Sequence, residues 1–214
     1  MKSINYLKTW MLLLLLPMLL AGCFGAAVVG MGTGVMMAAD RRTSDTYLTD
    51  EAIELRASNR INEKYPANVH VNVTSFNRMA LLTGEVPDQA SKEAIEKIVE
   101  EVPNLKAITN ELAIAGVSSL AARSSDSYLT AKVKARFVDS GKFSTNHVKV
   151  VSEAGTVYLM GLVTQAEADA AADVARTTSG VMKVVRVFEV ISPEEARRLD
   201  NRPAEDKAAK KPAN

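Results

Sequence analysis

The sequence predicts an α+β protein made of two tandem copies of one small αββαβ sandwich module, each with two helices on a three-stranded mixed sheet. Three observations carry this. Apolar stripes recur in register at a spacing of 76 residues, period-two strand pairs stand at matching places in both halves, and a glycine lies near the end of each second strand.

The register is found by keeping apolar on apolar. Tyr47-Leu48-Thr49 and Tyr128-Leu129-Thr130 lie 81 apart, but that spacing would set Arg56 against Phe137 in a core stripe. A spacing of 76 instead aligns Ile53, Ala57 and Ile61 with Leu129, Val133 and Phe137. With one extra residue in the second copy, His70-Val71-Asn72-Val73 falls on His147-Val148-Lys149-Val150, and Gly84-Glu85-Val86 on Gly161-Leu162-Val163. A one-residue correction then brings Leu105, Ile108, Leu112 and Ile114 onto Val181, Val184, Phe188 and Val190.

Each copy opens with an amphipathic helix, near 50–64 and 127–141. HVNVTS and VKVVSE alternate with period two, and short turns at Phe76-Asn77-Arg78 and Glu153-Ala154-Gly155 join them to MALLTGEV and TVYLMGLV as hairpins. Gly84 and Gly161 are structural glycines, marking a required backbone conformation or close helix packing. Alanine- and glutamate-rich helices follow near 88–101 and 165–178, with Asp88 and Thr164 as N-caps. Last strands near 107–114 and 183–191 close the modules. The pattern leaves open whether the second face of each sheet is solvated or packs on the other copy.

The chain opens on Lys2, Lys8, the apolar run WMLLLLLPMLL and then Leu20-Ala21-Gly22-Cys23. A basic segment, a short apolar run and small residues describe a secretory signal peptide over 1–22, and the run is too short to span a bilayer. Leu20 to Cys23 resembles the lipobox of bacterial lipoproteins. That resemblance implies S-diacylglycerol and N-acyl lipid on Cys23, and Phe24 after it favours the outer membrane with the globular part in the periplasm. More than one acyl chain gives stable anchoring. Residues 23–45 read as a lipidated Gly/Ala-rich tether and linker. Its GMGTG run lacks the strand and the GK[ST] of a phosphate loop. Asp40, Arg41 and Arg42 read as the start of a solvated linker, with lipid-headgroup contact as the alternative.

The αββαβ order with its strand-ending glycine, present twice, resembles the BON domain. Together with lipobox, tether and DRR segment, it is similar to the DolP/YraP family of dual BON-domain outer-membrane lipoproteins. The expected limits are 46–115 for the first domain, 116–126 for a linker and 127–191 for the second domain. Residues 192–214 read as a charged tail, helical for a turn or two after Pro193 and then disordered.

Composition narrows the chemistry. Without residues 1–22 the balance is 24 basic against 25 acidic residues, so no global charge draws the protein to nucleic acid. One cysteine excludes an internal disulfide framework, and with only two histidines it argues against a four-ligand zinc site. No metal or cofactor is expected beyond the lipid on Cys23. The chain has no G-x-S-x-G, H-E-x-x-H or P-loop motif, and the duplicated placement of His70 and His147 favours a structural role. The expectation is a non-enzymatic protein.

The informative difference lies between the two first helices. Residues 127–142 hold Lys132, Lys134, Arg136 and Lys142 against Asp139, whereas residues 50–64 hold four acids and three bases. Tyr128, Ala131, Ala135 and Val138 line the face opposite the core stripe, where the first copy has Ala52, Leu55, Asn59 and Asn62. A basic rim around an aromatic-tipped apolar strip suits the surface of an anionic bilayer. The family resemblance implies the same, and carries binding of anionic phospholipid (phosphatidylglycerol, cardiolipin) and support of outer-membrane integrity onto Tyr128, Leu129, Lys132, Lys134 and Arg136. The rival reading is a periplasmic scaffold that docks outer-membrane assembly machinery on the same face.

Overall fold

A computed structural model describes residues 40–203. Cys23, the tether as far as residue 39 and residues 204–214 lie outside the described residues.

The first module runs α1 (Ser44–Lys64), β1 (His70–Phe76), β2 (Met79–Val86), α2 (Gln89–Glu100), β3 (Ala107–Asn110) and β4 (Ala113–Ile114). The second runs α3 (Leu120–Ser140), β5 (Val148–Glu153), β6 (Thr156–Val163), α4 (Gln165–Arg176) and β7 (Lys183–Val190), with a 3-10 turn at Thr145–His147. A last helix, α5, spans Pro193–Asp200. In each sheet the middle strand pairs antiparallel with its hairpin partner and parallel with the strand returning after the helix. This is the mixed α+β module that the pattern predicts, with the first module's last strand broken at Glu111 and Leu112. Asp88 and Thr164 cap α2 and α4 as expected, and Glu167 completes a capping box with Thr164.

Gly84 and Gly161 are required by backbone proximity. A Cβ at Gly84 would lie 2.0 Å from the carbonyl oxygen of His70, and one at Gly161 2.2 Å from that of His147. The close neighbour is the head of the paired strand for Gly84 and the residue leading into it for Gly161, and Gly84 also has φ +113.

Each hairpin turn has two residues with positive φ, Asn77-Arg78 and Ala154-Gly155, as a type I′ turn demands. A buried aspartate on the preceding helix holds each turn. Asp50 accepts from the amides of Asn77 and Arg78, and Asp126 from those of Ala154 and Gly155. These aspartates stand 76 apart, in the register of the repeat.

The strand period divides the core. On β6, Val157, Leu159 and Val163 face α3 and α4, while Tyr158, Met160 and Leu162 join Phe76, Leu81 and Val187 in a separate cluster between the sheets. The second sheet faces therefore pack on each other, giving helices, sheet, sheet, helices. Each large side chain buried there contributes roughly 1.5–3 kcal/mol.

Two adjacent arginines fasten this junction, which corrects the expectation of a solvated linker at residues 40–42. Arg42 turns to the first module, pairing with Asp50 at 2.8 Å and Asp40 at 2.8 Å and lying 4.0 Å over the Phe76 ring. Arg41 turns to the second. Its guanidinium donates to Glu167 twice, to Asp200 twice and to the Leu162 carbonyl, at 2.7–3.0 Å. That uses all five donors of the group. The turn or two of helix expected after Pro193 is α5, and it packs on the second module, with Ala196 and Leu199 buried and Asp200 bound by Arg41. The long first helices also begin earlier than predicted. Ser44 lies in the expected tether segment and Leu120 in the expected linker, because Thr43 and Ser119 supply the N-caps.

Burial alone would raise the Glu167 carboxyl, but hydrogen bonds and charge from Arg41, with the Thr164 amide, outweigh it and hold it down at about 2. Asp200 is likewise held below its ordinary value, chiefly by its hydrogen bond to Arg41. A carboxyl depressed by folding stabilises the native state fully above its unfolded pKa and loses that effect as pH falls. Stability is therefore expected to fall between pH ~4.5 and about 2 as Glu167 protonates. Urea titrations across that window check it. In Arg41→Met the acid-dependent loss shrinks, and stability at neutral pH drops by about 1–3 kcal/mol, because half-buried Glu167 and the Leu162 carbonyl lose their donor.

Candidate functional site

The site builds outward from the core stripe of α3. Asp126, Leu129, Val133 and Phe137 are its buried residues, and Phe143 packs edge-on against Phe137 with ring centres 4.9 Å apart. Half a turn away the helix presents Leu120, Tyr128, Ala131, Ala135 and Val138 to solvent. Leu120 is 79% exposed, Tyr128 70% and Val138 66%. The strip runs the length of the helix, about 27 Å at 1.5 Å per residue. Leu120 enters it only because the helix starts seven residues before the predicted position.

The five residues assigned to lipid contact do not all lie on this strip. Tyr128 and Lys134 point outward. Lys132 and Arg136 lie half-buried on one flank, facing the end of α4: Lys132 donates to the Ser179 carbonyl at 2.8 Å, and Arg136 to the Val174 carbonyl and the hydroxyls of Thr177 and Thr178. A cation on the last carbonyls of a helix satisfies acceptors that have no partner within it. Leu129 is 7% exposed and belongs to the core, which corrects its place among surface contacts. Its spacing from Val133 and Phe137 already put it on the inner stripe.

Beside the strip, where α3 and α4 both end, lies an open basin of about 480 Å³ lined by Arg136, Lys142 and Arg176 with Asp139 and Asp173. Arg176 is paired with Asp173 at 2.8 Å, leaving Arg136 and Lys142 as the bases facing α3's rim. Arg176 was not legible as part of the site, because it comes from another helix of the module.

The first module offers a partial contrast. Leu48 and Leu55 of α1 are exposed too, so apolar exposure alone does not distinguish the helices. Charge does. The rim of α1 mixes acids and bases, whereas that of α3 is basic on both flanks. Among the described residues no helix is long and apolar enough to cross a membrane.

Comparison with known proteins agrees with this architecture. The BON domain family profile matches residues 49–116 and 125–192. The chain is 36% identical over 191 residues to the outer membrane lipoprotein DolP of Haemophilus influenzae, covering 88% of this chain and 99% of that one. It is 29% identical to the 21 kDa hemolysin of Actinobacillus pleuropneumoniae, over 71% of this chain and 79% of that one. It is 28% identical to the osmotically-inducible protein Y of Escherichia coli, over 53% and 58% of the two chains.

Stability measurements separate the two faces of α3. Leu129→Ala is expected to cost about 2–5 kcal/mol by leaving a cavity. Tyr128→Ser changes stability by no more than about 0.5 kcal/mol, since the side chain lies mostly in solvent.

Proposed function

Because this chain belongs to the family of two-module BON-domain proteins that includes DolP, we propose that it is a non-enzymatic lipoprotein of the outer membrane that touches anionic phospholipid through the outer strip of α3. Lipid on Cys23 holds it there, and the globular part faces the periplasm. The observation that carries this reading is the exposed strip Leu120–Tyr128–Ala131–Ala135–Val138 with Lys134 beside it and Lys132, Arg136 and Lys142 at its other edge and end.

The energetics suit a tethered domain. A base near an anionic surface is worth ~1 kcal/mol, and the tyrosine ring favours the headgroup layer. A few kcal/mol would be weak for a free protein. For one already confined by acyl chains, the membrane is present at high effective concentration, and the contact orients the domain rather than capturing it. Phosphatidylglycerol and cardiolipin supply the anionic charge, and support of outer-membrane integrity follows as the role of such a contact. The relatives are named an outer membrane lipoprotein, a hemolysin and an osmotically-inducible protein, and the matched family is the BON domain, which supports a binding role.

The protein from Asp40 onward, without acyl chains, is expected to co-sediment with phosphatidylglycerol vesicles and to lose that binding as salt rises. Tyr128→Glu with Lys134→Glu weakens it by about 100-fold, the equivalent of ~3 kcal/mol of reversed charge, at unchanged melting temperature. Undiminished binding by the folded double variant contradicts the proposal. A single dominant protein adduct from a photo-crosslinker at position 128 in cells would favour the scaffold reading instead.

A further inference from the structure

The repeat places a histidine at the head of the same strand in both modules, and the two meet different surroundings. His147 has Glu167 Oε1 3.4 Å from Nδ1 and Asp200 Oδ1 3.5 Å from Nε2. Both carboxylates pair with Arg41, at 2.7 and 2.8 Å. The cluster is one imidazole, two carboxylates and one buried cation.

His70 also meets two carboxylates. Its Nδ1 lies 3.0 Å from Glu85 Oε2 and 3.9 Å from Glu153 Oε1, and the three side chains are 13%, 7% and 9% exposed. The donors that reach these carboxylates besides the ring are neutral: the Ser118 amide to Glu85 at 3.1 Å and the Asn72 side chain to Glu153 at 2.9 Å. Among the described residues no lysine or arginine pairs with either one. Arg123, which lines the adjoining cavity, gives its guanidinium to Ser118. Two buried carboxylates therefore converge without the cation that the sister cluster has. Leaving such charge uncompensated is costly.

We propose that His70, Glu85 and Glu153 bind a divalent transition-metal cation, Zn²⁺ or Mn²⁺, which fills the electrostatic role of Arg41 and ties the two modules together. His70 and Glu85 belong to the first sheet and Glu153 to the second, so the ion bridges the junction. The donor atoms all lie within 4.8 Å of one another. Coordination at about 2.0–2.2 Å needs them roughly 3.3–3.6 Å apart, which small side-chain rotations supply. One imidazole with two carboxylates suits zinc or manganese better than the all-oxygen demands of magnesium and calcium. A cavity of about 320 Å³ lined by His70, Asn72 and Glu153 gives water access to the remaining positions. With the ion on Nδ1 the ring proton sits on Nε2, on the Asn72 side of the ring. Counting histidines and cysteines argued against a four-ligand zinc site. Three ligands with open positions, drawn from both modules, are invisible to that count.

The test uses the untagged full chain in detergent, stripped with chelator and titrated calorimetrically with Zn²⁺ and with Mn²⁺. A single saturable site is expected for at least one ion, with a rise in melting temperature that excess chelator reverses. Glu153→Gln and Glu85→Gln each lower affinity at least ~10-fold, while His147→Gln leaves it unchanged. No saturable binding of either ion overturns the proposal, as does wild-type affinity in both glutamine variants. Should a variant fail to fold, Co²⁺ added to the wild-type chain decides the matter. Intensified visible d–d bands support imidazole and carboxylate ligation, and a spectrum identical to aqueous Co²⁺ refutes it.

Discussion

The structure depends on burying the second faces of two small sheets against each other. Each sheet has helices on only one side, and a three-stranded sheet with a wet apolar face would be marginal. Packing Phe76 and Leu81 against Tyr158, Met160, Leu162 and Val187 removes that liability. It also decides what the outside of the molecule can be. With both sheets in the middle, the helices form the two outer layers, and the outer faces of α1 and α3 become the broad surfaces available for contact.

The polar border of that junction is asymmetric, although the modules are copies. Arg41 and Arg42 come from the segment before α1 and bind one module each, Arg42 through Asp50 and Arg41 through Glu167. Residues 76 further on, Val117 and Ser118, offer no such pair of charges. The second copy therefore gains a guanidinium at its histidine while the first does not. The same asymmetry appears on the outer layers, where α3 carries the basic rim and α1 does not. The two modules share one scaffold and differ in the charges at its borders.

Much of this was legible in the sequence wherever periodicity carries it. The stripes Ile53-Ala57-Ile61 and Leu129-Val133-Phe137, both hairpins and both glycines follow from spacing, since burial selects one face every 3.6 or two residues. The buried arginines were not legible, because a charged pair before a helix has no period, and the partners of Arg41 lie more than 100 residues away. Asp50 and Asp126 could have been found, as the 76-residue register matches them, but single aspartates on a helix read as solvated. The candidate lipid surface was visible in outline through charge and Tyr128. Its detail was not: the Val174 carbonyl of α4 draws in Arg136, the Ser179 carbonyl beyond that helix draws in Lys132, and only the early N-cap at Ser119 brings Leu120 into line.

The central claim is that α3, and not α1, lies on the membrane surface. It is tested most directly by nitroxide labels at positions 128, 135 and 59 of the chain beginning at Asp40, each placed by a single cysteine substitution. With phosphatidylglycerol vesicles, the labels at 128 and 135 are expected to gain accessibility to oxygen over a water-soluble nickel chelate, while the label at 59 stays aqueous. Aqueous behaviour at 128 and 135 in vesicle-bound protein, or immersion at 59 instead, would contradict it.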